Sequence, residues 1–183
     1  MSLPDFVRSR RLAAGLALGA LAVLAGCTVQ PLHGSGGLGS PGSAMSAELA
    51  SVAVAPVSDR VSQQVRNHLI FLLSGGAGSP ADAHYTARLS VSAADTAAAS
   101  IQVGRDDEPT ASLVTVIAAY VLTDASGNTV GQGSRSAQAP YDVSTQQFAE
   151  LRAERDAQNR AAREAAELVR LAIAQDLSRI PTR

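Results

Sequence analysis

Residues 112–123 read SLVTVIAAYVLT, an almost unbroken run of apolar and β-branched side chains. A run of this kind predicts a strand that is central in a sheet or covered on both faces. The next five residues, DASGN at 124–128, have the composition of a turn. Residues 129–139 then alternate, with mostly small and polar side chains, and predict a strand that returns antiparallel to the first.

The segment before this hairpin predicts another strand and then a loop. Residues 84–92 alternate between apolar and polar side chains, which predicts a strand with one solvated face. Residues 93–110 contain the acidic run DDEP at 106–109. We expect a solvated loop there, in which IQV at 101–103 could prolong a strand.

Closer to the N-terminus, residues 49–57 predict a short first strand, with Pro56 suited to its end. A helix is expected next, because apolar residues recur every three or four positions from Val61 to Leu73. Ser58 or Asp59 can cap its N-terminus, and the glycines after Ser74 end it. Because one side of this helix is apolar, we expect it to lie on the sheet.

The C-terminal part predicts a long helix, opened by a capping box of Ser144 and Gln147 and reaching about Ser178. One of its sides is apolar and rich in alanine: Leu151, Ala161, Ala162, Ala165, Leu168, Val169, Ala172 and Ile173. The other side carries opposite charges four residues apart and is interpreted as solvated: Arg152/Asp156, Asp156/Arg160, Arg160/Glu164 and Arg163/Glu167. The predicted fold is α+β, with two helices packed on a mostly antiparallel four-stranded sheet in the order strand-helix-strand-strand-strand-helix.

The N-terminal segment predicts a lipoprotein signal peptide over residues 1–26. Three arginines precede an apolar run at 12–24, which is too short to cross a bilayer as a helix. The sequence LAG then stands before Cys27, the chain's one cysteine, and resembles the bacterial lipobox, in which that cysteine is acylated. The alternative is a plain secretory signal with an incidental cysteine. Thr28 is not the aspartate that retains enteric lipoproteins in the inner membrane, which favours the outer membrane.

The glycine- and serine-rich stretch at 34–47 has the composition of a flexible spacer. We therefore expect a lipidated N-terminus and linker over 27–48 and a folded domain over 49–183. The chain has a net charge of −1, and all of its 15 basic side chains are arginine. This balance, with acidic side chains between the arginines, gives no reason to expect nucleic-acid binding.

Patterns of catalytic or metal chemistry are not evident. The histidines at 33, 68 and 84 lack the spacing of metal ligands, and there is no G-x-S-x-G motif. The acidic residues at 106–108 lack the alternating ligands and the glycine of an EF-hand. We expect neither an enzyme nor a bound metal or cofactor; a hydrolase is the weakest of the alternatives.

Three stretches resemble lipopolysaccharide-assembly lipoproteins of the LptE family, in particular those of alphaproteobacteria. They are QPLHG at 30–34, YVLTDASGNTVGQG at 120–133 and YDVSTQQFAELRAERDAQNRAAREAAELV at 141–169. The resemblance implies an outer-membrane lipoprotein that assembles with and plugs the β-barrel exporting lipopolysaccharide (LptD-type), with its domain facing the periplasm or inside the barrel. It also implies contacts between basic side chains and lipopolysaccharide.

Arg88 and Arg135 are the candidates for such anion contacts, by their charge and expected exposure; the alternative, which the sequence favours, is that each is an ordinary surface arginine. The membrane is the expected partner of the lipid at Cys27. A second function from a different class stays open at this point. A lipid-anchored auxiliary or solute-binding component of an envelope transporter would share the anchor, the linker and the small domain.

Overall fold

The computed structural model describes residues 41–103 and 106–180, with side chains described for 44–98 and 111–180. The elements are helix α1 (Pro41–Ala50), strand β1 (Val52–Val54), helix α2 (Arg60–Ser74), strands β2 (Tyr85–Val103), β3 (Asp106–Asp124) and β4 (Thr129–Asp142), and helix α3 (Gln147–Ser178). One sheet has the order β1-β2-β3-β4, with β1 parallel to β2 and the other neighbours antiparallel. The predicted α+β class and mostly antiparallel four-stranded sheet are confirmed.

Strand β3 is central, as predicted, but only one of its faces is covered. Alternate residues from Val114 to Leu122 are buried on the face where α2 and α3 pack. On the other face Ile117 and Val121 are 45% and 38% exposed. We call this second surface the open face. The largest fully buried side chains are Leu69, Leu122, Ile173, Val65, Val114, Val116 and Val169.

The alanine stripe of α3 lies in this core as predicted, with Ala161, Ala162 and Ala165 fully buried. Their short side chains let the helix axis come close to β3 and β4. The predicted turn is also present: Asp124 and Asn128 are bonded through their backbones, and Gly127 has the positive φ of 85° that closes it.

The prediction of a loop over residues 93–110 is wrong. Strand β2 continues to Val103, and β3 begins at Asp106, so the acidic run belongs to a strand. The two arms pair with each other, for example Gln102 with Asp107, and the register shifts between Ala97 and Ser100. Antiparallel pairing bonds the backbone groups of both arms whatever their side chains, which the composition of the segment did not reveal.

Helix α2 has the predicted ends. The Asp59 carboxylate accepts the backbone N–H of Ser62 at 2.9 Å, and Gly75 takes the left-handed conformation with φ 62°. Helix α1 was not predicted. It occupies residues 41–50, where the composition indicated a spacer followed by the first strand, and it leaves β1 only three residues long. Residues 1–40, with the predicted signal peptide, Cys27 and most of the linker, lie outside the described residues.

Helix α3 begins two residues later than the predicted capping box requires. Its N-cap is Gln146, which makes no side-chain cap hydrogen bond, while Ser144 Oγ accepts the Gln146 N–H at 3.2 Å. Of the four charge pairs predicted on its solvated side, Arg160 and Asp156 form an ion pair at 2.9 Å in the described structure. Two predicted apolar-side residues differ: Leu151 is 41% exposed and Leu168 is half-buried.

A buried arginine joins the two long helices. Arg170 is 8% exposed and donates its Nε–H to the Leu72 carbonyl near the end of α2 at 3.1 Å. The last carbonyls of a helix lack partners within it and attract positive charge. Burial lowers the pKa of Arg170 from its ordinary value, yet the guanidinium stays positive because that value is so high.

Candidate functional site

The two arginines that the sequence singles out lie on opposite faces of the sheet. Arg88 pairs across the strands with Val121 and is exposed on the open face. Arg135 pairs with the buried Ala118 and therefore points to the face where α3 packs, where it is half-buried. The expectation of simple exposure is thus wrong for Arg135. Because side chains alternate along a strand, the two cannot share one ligand through the sheet.

The open face combines an aliphatic stripe with a polar surround. Leu113, Ile117 and Val121 follow one another along β3 at every fourth position, on the same face. The neighbouring positions of β2 and β4 are mostly small or polar: Ser90, Ser92, Gln132, Ser134, Ser136 and Gln138. Exposed apolar patches with polar rims are typical of surfaces that bind other macromolecules.

On the helix-covered face, a hydrogen-bonded pair joins the sheet to the end of α3. The Tyr120 hydroxyl donates to Asp176 Oδ2 at 2.6 Å. Gly131 of β4 makes room for this carboxylate, since an added Cβ would lie 2.8 Å from Asp176 Cβ and Cγ. Gly133 similarly accommodates the Tyr120 ring, whose Cε1 would be 3.1 Å from an added Cβ. The two glycines therefore set the position of a polar contact inside the packed interface.

The electrostatics of this pair involve Arg135. Burial, followed by the hydrogen bond to Asp176, raises the pKa of Tyr120 well above its ordinary value. The positive charges of Arg135 and Arg179 oppose that rise. Arg179 Nη1 lies 3.6 Å from Asp176 Oδ1, while Arg135 donates to the Ser134 carbonyl at 2.8 Å. Asp176 therefore contacts both Tyr120 and Arg179, whereas Arg135 acts on Tyr120 through its charge.

The helices also carry exposed apolar side chains on their sides away from the sheet. Phe71 of α2 is 58% exposed and Leu171 of α3 is 48% exposed. Near the start of α3, Phe148 is 83% exposed. Apolar contact surface is therefore present on both sides of the domain, on the open face and on the outer side of the helices.

Among residues 41–103 and 106–180, no group of three or more histidine, aspartate or glutamate side chains is placed to hold one metal ion. None of the helices in this part of the chain combines the length and hydropathy needed to cross a bilayer.

Residues 49–173 match the family described as LptE, lipopolysaccharide-assembly. The chain belongs to the LptE family. The match spans α2, the whole sheet and α3 as far as Ile173, so Asp176 and Arg179 lie just beyond it. The resemblance drawn from residues 30–34, 120–133 and 141–169 is thereby confirmed as to family. LptE proteins are lipopolysaccharide-assembly lipoproteins without an enzymatic role.

The chain is also similar to solved structures. A protein described as a lipoprotein from Caulobacter crescentus is 26% identical, with a TM-score of 0.60, over 75% of this chain and 98% of that one. A minor lipoprotein from Acinetobacter baumannii is 15% identical (TM-score 0.48, 69% and 90% covered), and the rare lipoprotein B from Shewanella oneidensis is 10% identical (TM-score 0.49, 69% and 94% covered). No curated protein matches the sequence.

Within the LptE fold, sequence reasoning located Arg88 and Arg135 but not their surroundings. It did not find the Tyr120–Asp176 pair, whose members are 56 residues apart in the chain. The sequence signal for this contact is the presence of two glycines, Gly131 and Gly133, two residues apart in one predicted strand. Glycine inside a strand often marks the close approach of another group.

Proposed function

We propose that this LptE-family chain is an outer-membrane lipoprotein that assembles with the lipopolysaccharide-exporting β-barrel and sits inside it as a plug. Family membership supports lipopolysaccharide assembly as its process. The observation that favours a plug is the distribution of exposed apolar side chains on opposite sides of the domain. Ile117 and Val121 lie on the open face, and Phe71 and Leu171 lie on the outer side of the helices.

A protein that docks through one face needs one contact patch, whereas a protein enclosed by its partner contacts it on several sides. The polar rim of the open face also suits a barrel interior, because barrel lumens are lined by polar side chains. The serine and glutamine side chains around Ile117 can exchange hydrogen bonds with such a lining. The aliphatic stripe then contributes apolar burial where the wall comes closest.

The test is recovery of the barrel protein with the tagged native chain from detergent-solubilised outer membranes. Ile117→Glu and Phe71→Glu should each lower that recovery, about fivefold for a loss of about 1 kcal/mol. Ala125→Glu is the matched control, since it adds the same charge at an exposed turn between β3 and β4. Loss with Ile117→Glu alone would indicate docking through one face and refute the plug. Recovery of an inner-membrane ATPase without the barrel would favour an auxiliary transporter component instead.

The anchor is a separate part of the proposal. Cys27 receives the acyl chains and becomes the first residue of the mature protein, which ties the domain to the membrane. More than one chain is needed for stable anchoring, because a single acyl chain binds membranes only marginally. Incorporation of radiolabelled palmitate that is lost in Cys27→Ser would support this anchor. Labelling that persists in Cys27→Ser would refute it.

For lipopolysaccharide itself we propose Arg88 as the more accessible anion contact and Arg135 as the less accessible one. Arg88 has no described ion pair and stands beside Val121 on the open face. Arg135 is half-buried on the face where α3 packs, so a ligand reaches it less easily. Arg88→Gln should therefore reduce lipopolysaccharide bound to the purified protein more than Arg135→Gln does. Equal binding by Arg88→Gln and the native chain would exclude this contact.

A further inference from the structure

The outer edge of β2 lacks a partner strand over most of its length. Strand β1 pairs with it only from Tyr85 to Ala87, and the last bond between them runs from the Ala55 N–H to the Ala87 carbonyl at 2.9 Å. Strand β2 then continues to Val103, bonded to β3 on its inner side. In the described part of the chain, the outer edge beyond Ala87 is therefore open.

Two features end β1 at this point. Pro56 has no N–H to donate to a neighbouring strand, and the Arg66 side chain donates to the carbonyls of Val54 and Ala55 at 3.1 and 3.0 Å. The chain turns away from the sheet into α2 and leaves a groove of about 550 Å³. The groove lies between residues 56–59 and the edge of β2 at Leu89–Val91.

The backbone of β2 gives this groove a defined chemistry. In an extended strand, the N–H and C=O of one residue point to the same side, and the next residue's point to the other. Ala87 directs its carbonyl to β1, so Leu89, Val91 and Ala93 direct theirs to the open edge. Donors and acceptors that alternate at strand spacing are complementary to another extended polypeptide, the basis of recognition by strand addition.

Strand β4, at the other side of the sheet, is protected in a way that β2 is not. It contains Pro140, and the Pro140 carbonyl accepts Arg160 Nη2–H at 2.7 Å. Proline and charged side chains are the usual protection of edges against pairing with other chains. Residues 89–94 of β2 contain neither, and residues 92–98 are exposed. An edge without proline or charge over residues 89–94, compared with the protected edge of β4, favours a partner strand at β2.

We propose that an extended segment of the barrel protein adds to this edge as a fifth strand, in line with β1 and hydrogen-bonded to Leu89, Val91 and Ala93. This inference rests on the proposed function. Side chains of the added strand would alternate: apolar ones face Leu89 and Val91 on the helix side, and polar ones lie on the open face. Because strand pairing is directional, this contact fixes the orientation of the domain relative to the barrel protein, whereas apolar patches alone would not.

Amide hydrogen exchange at single-residue resolution tests the proposal, with the full lipidated chain alone in detergent compared with the complex from outer membranes. The amides of Leu89, Val91 and Ala93 should exchange at least about tenfold more slowly in the complex, which corresponds to about 1.4 kcal/mol. The amides of Ser90 and Ser92 are bonded to β3 and serve as internal controls that stay slow in both samples. Unchanged exchange at the three outward amides in a barrel-containing complex overturns the strand addition and leaves the proposed function intact.

Failure to recover the barrel at all overturns the proposed function and this inference with it. Protection of the same amides in the isolated chain that grows with concentration would assign the edge to a second copy and overturn the inference. Ala93→Pro gives an independent test, since it removes an outward N–H without touching the bonds to β3. It should lower barrel recovery at least about fivefold, or about 1 kcal/mol, and Ala93→Thr, which keeps the N–H, should not. If Ala93→Pro fails to fold, the exchange comparison on the native chain decides.

Discussion

Replacing Gly131 by alanine should destabilise the domain more than any other one-carbon addition in β4. The added Cβ would stand 2.8 Å from Asp176 Cβ and Cγ and closer still to the carboxylate oxygen. Contacts between such atoms normally start near 3.4 Å. Either the strand or the last turn of α3 must therefore move by more than half an ångström.

Two routes of relief are open, and their costs are similar. If α3 stays in place and Asp176 swings aside, the domain loses the 2.6 Å hydrogen bond from Tyr120 and takes on overpacking strain, together about 2–4 kcal/mol. If the last turn of α3 peels away, Leu177, which is 6% exposed, loses its burial as well. That loss of burial costs about 1.5–3 kcal/mol. The expected drop in the free energy of unfolding is about 2–4 kcal/mol by either route.

Urea unfolding of the purified protein, followed by circular dichroism, measures this drop. Gln132→Ala is the matched control on the exposed open face and should change the free energy of unfolding by less than about 0.5 kcal/mol. In a Tyr120→Phe background, Gly131→Ala should cost about 1–2 kcal/mol less than in the native chain, because the hydrogen bond is already gone. A loss for Gly131→Ala no larger than that of Gln132→Ala would refute the close packing of Asp176 against β4.

Three further predictions concern stability. Burial and then the hydrogen bond to Asp176 raise the pKa of Tyr120. Burial and then the hydrogen bond to Asp95 raise the pKa of Tyr141 to about 12. Because the folded state holds these two phenol protons more tightly than the unfolded state, the contribution of both tyrosines to folding stability is full below about pH 10 and is lost as the pH rises above it. Ultraviolet titration should find little phenolate at pH 10 in the folded protein, and a full phenolate signal there would contradict it. Asp59→Ala should lower the free energy of unfolding in urea by about 0.5–2 kcal/mol, because it removes the cap of α2. Asp59→Ser should lower it much less, because serine is also a good N-cap residue. Leu69→Ala should cost about 2–5 kcal/mol, and a loss below 1 kcal/mol would show that the core between α2 and the sheet is loose.

Elements fixed by local chemistry could be predicted from the sequence. The turn at 124–128 and the ends of α2 depend on residues only a few positions apart, and both were predicted correctly. The full length of the β2–β3 hairpin could not be predicted from the sequence, because the outer parts of its two strands are stabilised by pairing with each other and carry no apolar pattern. Helix α1 could not be predicted either, because its segment has the composition of a linker. It is held by tertiary contacts, since Leu49 is buried and Met45 is half-buried against the rest of the domain.

The candidate site was predicted only as single residues. Charge and strand alternation identified Arg88 and Arg135, but the faces on which they lie depend on which side of the sheet the helices cover. That choice follows from the register of β3 with both neighbours, since a slip of one residue exchanges the two faces. The Tyr120–Asp176 pair needs the same register together with the position of the end of α3, and no local motif encodes either.

Helices α2 and α3 both pack on one face of the sheet, and this arrangement accounts for both the open face and the free edge of β2. It leaves the aliphatic stripe of β3 uncovered, and it draws the chain after β1 away from the sheet to enter α2. The short β1 is therefore the reason that the β2 edge is free beyond Ala87. A domain built to fold alone would gain stability by extending β1 along β2, because each further pair adds backbone hydrogen bonds and covers an exposed edge. Pro56 and the Arg66 contacts prevent that extension, and the free edge that results is the one to which we propose that a strand of the partner adds.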